Sequence, residues 1–335
     1  MITEPTPPIR NPNVQRPQRE WGWEIAIYLY MAGMGAGSFV VGMFTNWLEN
    51  PSITIQVWGF SFDIAKFALF GGPILVAMGA PFLILDLGIK RRFLYACLNP
   101  RSSWVARGFL ILSTFIVLGL AILVISFFYP TVFTKRPASW LALEILSLVF
   151  AFATAIYTGV LLKSVKYVSL WNTPLLPILF LVSALSTGTL VLLLSTLGYG
   201  YLVPRGEWFY KMINLWVYFG QVLILIECFV LALYIMVYRK DDREASQVYH
   251  FVLREIGWLI CGGIALFLYA YFLKHPILLI AAGLFLFIGG FSLRLQVLAQ
   301  GVKEQPPMYR WIEMTANIRP SERVDDHVRK SLWRG

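Results

Sequence analysis

The chain has 335 residues, 58% hydrophobic and 14% charged, with a formal net charge of +10. A water-facing globule of this size would not stay in solution with so apolar a composition, which excludes an ordinary soluble fold and predicts an all-α integral membrane protein. The isolated cysteines Cys97, Cys228 and Cys261, and the histidines His250, His275 and His327 outside the long apolar runs, supply no zinc, haem or iron–sulfur ligand pattern at membrane depth, so no metal centre is expected in this chain.

Residues 1–20 are polar and proline-rich and read as an extramembrane tail without the apolar core of a cleavable signal. About 20 apolar residues cover roughly 30 Å of hydrocarbon. By that measure eight spans are predicted, near 23–47, 60–87, 105–128, 140–162, 174–197, 212–237, 256–272 and 276–298. Only Phe272 to Pro276 separates the last two. Fusing them would put Pro276 inside a helix and Lys274 at mid-depth, so a tight helical hairpin is expected. Residues 301–335 are too polar to span and form a second tail.

With the spans drawn, charge is unevenly divided. The face carrying both termini holds Lys90, Arg91, Arg92, Arg101, Arg107, Arg254, Arg294 and both basic tails, whereas the other face holds Lys66, Lys135, Arg136, Arg205, Lys211 and Lys274. The positive-inside rule turns the first face toward the cytoplasm. A basic face also suits an acidic partner, for which Lys90, Arg91, Arg92 and Arg101 are the docking candidates.

Small residues cluster at Gly33, Gly35, Gly37 and Ser38 in the first span and at Ser183, Ser186, Thr187, Gly188 and Thr189 in the fifth. They read either as an echo between two four-helix halves or as patches that let neighbouring helices approach closely.

Ionisable groups in hydrocarbon need hydration, a partner or a task. Asp63 and Lys66 near the start of the second span, Glu144 in the fourth and Glu227 midway along the sixth are candidates for a proton path, with local pairing and packing as the structural alternative. At the terminus-bearing face, Trp21, Trp23 and Glu24 open the first span, Asp86 closes the second, Arg107 opens the third and Tyr157 lies near the end of the fourth. Indoles, a phenol and a carboxylate around an apolar slot suit a quinone, which needs aromatic walls, donors for its oxygens and a proton acceptor. Without a slot they make an interfacial aromatic belt.

Four stretches resemble the membrane subunit of polysulfide reductase and the NrfD-type proteins related to it. They are Trp21-Gly22-Trp23-Glu24 through Gly37, Asp86-Leu87-Gly88 with Lys90-Arg91-Arg92-Phe93, Tyr157-Thr158-Gly159, and Leu170-Trp171-Asn172-Thr173-Pro174-Leu175-Leu176-Pro177. The resemblance covers roughly residues 20–300. It implies eight transmembrane helices in two four-helix bundles, here 21–167 and 168–300, in the cell inner membrane. It implies a non-covalent menaquinone or ubiquinone site in the first bundle, with Tyr157 at the quinone and Trp21, Trp23 and Glu24 along the pocket. Some relatives carry a histidine there; this chain has none, and Glu24 is its substitute candidate. The partners implied are a four-cluster iron–sulfur subunit, a catalytic subunit that is often a molybdopterin enzyme, and the lipid bilayer, with no nucleic acid. Many members dock their soluble subunits on the outer face, on the side of the termini, in conflict with the charge bias. A secondary transporter using Asp63, Lys66 and Glu227 and a purely structural anchor are the rival readings.

Overall fold

Away from water, each backbone N–H and C=O must be satisfied within its own segment, and the long apolar runs accordingly form helices. The computed structural model describes residues 16–17, 21–57, 60–86, 103–129, 132, 135–165, 168, 170–200, 207–238 and 242–303. Among them are seven helices long and apolar enough to cross a membrane, or up to eight when one bent pair is taken as a single span.

Helix α1 (Trp23–Glu49) is the most enclosed of them. It ends at Asn50, whose left-handed backbone (φ 41°) turns its N–H onto Asn46 O, 3.0 Å away. The second expected span differs from the continuous helix read over 60–87. Strands β2 (Thr54–Val57) and β3 (Phe60–Asp63) form a hairpin; α2 (Ile64–Phe70) and α3 (Gly72–Asp86) follow, with a bend of 44° between them at Gly71. The Gly71-Gly72-Pro73 sequence accounts for the break, since proline cannot donate to the preceding turn and glycine is the poorest helix former after proline.

The remaining helices are α4 (Trp104–Phe128), α5 (Ala138–Lys163), α6 (Leu175–Tyr199), α7 (Glu207–Tyr238), α8 (Asp242–Leu268) and α9 (Pro276–Ala299). A π-helical turn, Tyr269–Leu273, finishes α8; Lys274 then adopts a left-handed conformation (φ 39°), and His275 caps α9 by accepting from Ile277 N at 3.3 Å, with Pro276 at the first helical position. The tight hairpin expected there is present. The stretch from Arg239 to Arg254, expected as a loop, is helical from Asp242, so His250 lies exposed on α8 rather than in a loop. Its polarity reflects a helix projecting past the apolar zone.

Packing closes two rings of neighbours. One runs α1, α3, α4, α5 and back to α1; the other runs α6, α7, α8, α9 and back to α6. They join chiefly where α1 and α5 lie against α6 and α1 touches α9. The small-residue patches of the first and fifth spans are the two sides of this joint: a Cβ on Gly37 would stand 1.9 Å from Ala184 O, and one on Gly188 would stand 2.2 Å from Ser38 N. Near the start of α1 and the end of α9, β1 (Arg16–Pro17) pairs antiparallel with β4 (Val302–Lys303).

Candidate functional site

At the end of the fold that carries the β1–β4 pair, α4 begins beside the last turns of α5. Ser103 caps α4 through Ala106 N. A carbonyl oxygen has two lone pairs, so one in the first turn of a helix can take a side-chain donor besides its helical bond. Tyr157, 5% exposed, donates its hydroxyl in this way to Trp104 O at 2.8 Å. Its ring lies directly on Gly108, where a Cβ would come within 1.9 Å of Cζ and 2.0 Å of the hydroxyl oxygen. Arg107 places its guanidinium over the Trp104 indole, 4.5 Å from the ring centre, a cation–π contact that helps hold the cation at this end of α4. Tyr157, Arg107 and the unanticipated Trp104 therefore form one group.

Trp21 is joined to a different partner. It stacks on Trp171, with ring centroids 5.3 Å apart and planes 12° from parallel. Trp23 is 56% exposed. Glu24 folds back toward its own helix start, its Oε2 2.6 Å from the Cβ position of Gly22, where a carboxylate complements the positive end of α1. Asp86 ends α3, but its side chain lies outside the described residues, as do Lys90, Arg91, Arg92 and Arg101.

The polar residues expected as a proton path separate into two places. At the far end, Asp63 caps α2, its Oδ1 accepting from Lys66 N (3.3 Å) and Ile53 N (3.0 Å), while Oδ2 is buried without a partner. Lys66 Nζ donates to Asn46 Oδ1 and, at 2.7 Å, to Asn50 Oδ1. Arg136 donates to Asn46 O at 3.0 Å. Two cations thus meet the carbonyl end of α1, where the helix dipole favours them. Glu144, fully buried, accepts from Trp47 Nε1 and Trp140 Nε1, each at 2.8 Å and each on its own carboxylate oxygen. Two hydrogen bonds to a charged acceptor, about 1.5–3 kcal/mol each, are of the size of the roughly 3 kcal/mol by which hydrocarbon penalises such a group. Asp63, Lys66 and Glu144 thus each have the local partners that the packing alternative calls for.

Glu227 stands apart, in α7 against α6. Ser186 Oγ donates to its Oε2 at 2.7 Å. Arg294 of α9, counted from sequence among the charges of the terminus-bearing face, is 0% exposed. It donates to Ser183 Oγ (2.7 Å) and Gly290 O (2.8 Å) and lies over the rings of Tyr30 and Phe180 at 5.5 and 5.3 Å; its buried Nε has no hydrogen-bond partner, nor has the Tyr30 hydroxyl. Sequence reasoning missed Arg294 because its place near the end of a span suggests a side chain reaching for the interface. Ser183 and Ser186 on an apolar helix were the available signal.

The family model for polysulphide reductase, NrfD, matches residues 12–304. The chain belongs to this NrfD family. The polysulfide reductase C subunit of Wolinella succinogenes is 30% identical over 190 residues, covering 50% of the present sequence and 55% of the relative. Protein NrfD of Escherichia coli K12 is 26% identical over 194 residues, covering 52% of the present sequence and 59% of the relative. The protein thus spans somewhat over half the length of these curated relatives. As an NrfD-family protein with this set of apolar helices, it is a multi-pass membrane protein.

Proposed function

We propose that this NrfD-family protein binds a menaquinone or ubiquinone in its first four-helix bundle, residues 21–167. It would exchange two electrons there with a four-cluster iron–sulfur subunit docked on the terminus-bearing face, itself serving a catalytic, often molybdopterin, subunit. The ring contacts between α1, α3, α4 and α5, and between α6, α7, α8 and α9, support a division into two bundles. The basic sequence stretch with Lys90, Arg91, Arg92 and Arg101 is the docking candidate, in a cell inner membrane with the termini cytoplasmic by charge bias.

The observation that carries the quinone reading is Tyr157, held at 2.8 Å from Trp104 O beside Arg107 at the end of the α4–α5 pair. A bound quinone supplies a two-electron, two-proton acceptor. Of the chain's own groups, Trp21 and Trp104 offer flat apolar walls, Arg107 offers fixed positive charge, and Tyr157 offers a hydroxyl. Because that hydroxyl already donates to Trp104 O, it accepts from a quinol as it stands and must exchange its partner to donate to a quinone oxygen. Glu24 and Asp86 would take up or release protons at this face. Glu227 beside Arg294 is the better-supported group for a route across the membrane, since Asp63, Lys66 and Glu144 are engaged at helix ends and indoles. Tyr157→Phe should cut quinone-linked activity of the intact complex while preserving activity with an artificial soluble donor. Equal loss of both, or of neither, removes the tyrosine from this role.

One observation favours a second reading. The break between α2 and α3, 44° at Gly71, follows a short helix whose Lys66 donates to Asn46 and Asn50, and discontinuous helices with polar groups mark transporter sites. A transporter should purify alone, whereas the proposed subunit should bring down an iron–sulfur protein and bound quinone.

A further inference from the structure

The turn Leu170-Trp171-Asn172-Thr173-Pro174 carries the most specific part of the sequence resemblance, and hydrophobicity does not demand it. In the fold it is gripped from both sides. Trp171, 3% exposed, donates its indole N–H to Val297 O of α9 at 2.7 Å, across 126 positions of sequence. Tyr234 of α7 donates its hydroxyl to the neighbouring Leu170 O. Trp21 lies flat against the same indole. Trp21 lies just before α1, a member of the first ring of helices, whereas α7 and α9 belong to the second.

The geometry points to Trp171 as a positioning residue for the quinone site: an indole fixed by the second set of helices, holding Trp21 in the plane it presents as a wall. The inference rests on the quinone reading above. A side chain at a helix entrance otherwise samples several rotamers, and that freedom is lost when a ring must be sandwiched. Stacking on a partner that is itself hydrogen-bonded to α9 removes the cost before the ligand arrives. Affinity in the first bundle therefore depends on the anchoring of a turn by the second.

The test uses the intact complex with a short-chain naphthoquinol and a short-chain benzoquinol as probes. It reads KM and kcat, equilibrium binding of the corresponding quinones, and activity with an artificial soluble donor. Trp171→Ala should raise KM and Kd by about three- to tenfold, the worth of one aromatic pair, with kcat and the artificial-donor activity unchanged. Trp171→Phe keeps a stacking ring without the indole N–H and should fall between Trp171→Ala and the parent. Tyr234→Phe loosens the turn without touching the stack and should raise Kd in the same sense, which keeps the inference testable if Trp171→Ala fails to assemble. Unchanged Kd in Trp171→Phe and Tyr234→Phe, with Trp21→Ala raising it, overturns the positioning role and leaves the quinone site intact. Unchanged Kd in Trp21→Ala and Tyr157→Phe as well overturns the quinone reading itself.

Discussion

Arg294 and Glu227 approach each other through serine hydroxyls and form no direct ion pair: Arg294 Nη1 donates to Ser183 Oγ at 2.7 Å, and Ser186 Oγ donates to Glu227 Oε2 at 2.7 Å. Both serines lie on α6, so the charge from α9 and the charge from α7 meet across the helix between them. Removing either group leaves a buried serine hydroxyl without that partner, at a cost of about 1–3 kcal/mol. Arg294→Gln and Glu227→Gln should each lower the melting temperature of the solubilised protein strongly. The double variant should melt well above the sum of the two losses, because coupled neighbours are non-additive. Additive shifts in thermal melts would show that the serines do not link the two groups.

Gly108 and Tyr157 set the α4–α5 crossing. A Cβ at Gly108 would meet the rigid phenol ring at 1.9 Å, and a ring has no flexible end to yield. Gly108→Ala should therefore displace Tyr157 and break its bond to Trp104 O, destabilising the protein by about 1–3 kcal/mol as overpacking does. It should impair quinone-linked turnover at least as much as Tyr157→Phe, which loses only the hydroxyl. A Gly108→Ala complex with parental quinone kinetics would separate this crossing from the site.

Hydropathy made the long helices legible, and it was blind wherever polarity and helix coincide. Arg239 to Arg254 read as loop because the stretch is rich in polar residues, yet the helix of α8 starts within it at Asp242, outside the apolar zone. Residues 60–63 read as helix because they lead into the apolar run that follows, yet the β2–β3 hairpin claims them up to the capping Asp63. Trp21, Arg107 and Tyr157 were visible as residue types at one membrane level. Their partners Trp171 and Trp104, and the burial of Arg294, depend on tertiary packing between segments remote in sequence, which periodicity does not encode.

Glu144 distinguishes a structural carboxylate from a proton carrier. Each oxygen accepts one indole N–H, from Trp47 and Trp140. In Glu144→Gln the amide nitrogen would point a donor at one of those donors, leaving a buried N–H unpaired at about 1–3 kcal/mol. The variant should lower the melting temperature while the surviving complex keeps its quinone-linked rate and its proton release in liposomes. Loss of proton release at unchanged stability would instead make Glu144 a carrier.

Gly37 and Gly188 decide whether the two rings of helices can meet. The atoms that a Cβ would strike, Ala184 O at 1.9 Å and Ser38 N at 2.2 Å, are backbone, so no rotamer change relieves the clash. Association between helices in a bilayer relies on close backbone approach because lipid is as apolar as leucine. Gly37→Leu should therefore part α1 from α6 and abolish accumulation of folded protein, and Gly37→Ala should lower stability strongly. Gly198, around which a Cβ meets nothing within 4 Å, lies on the same helix as Gly188, and Gly198→Ala should be neutral or slightly stabilising there because alanine is the better helix former. Membrane accumulation and thermal melting of the three variants check this. Equal tolerance at Gly37 and Gly198 would mean that the small-residue patches do not form the joint between the rings.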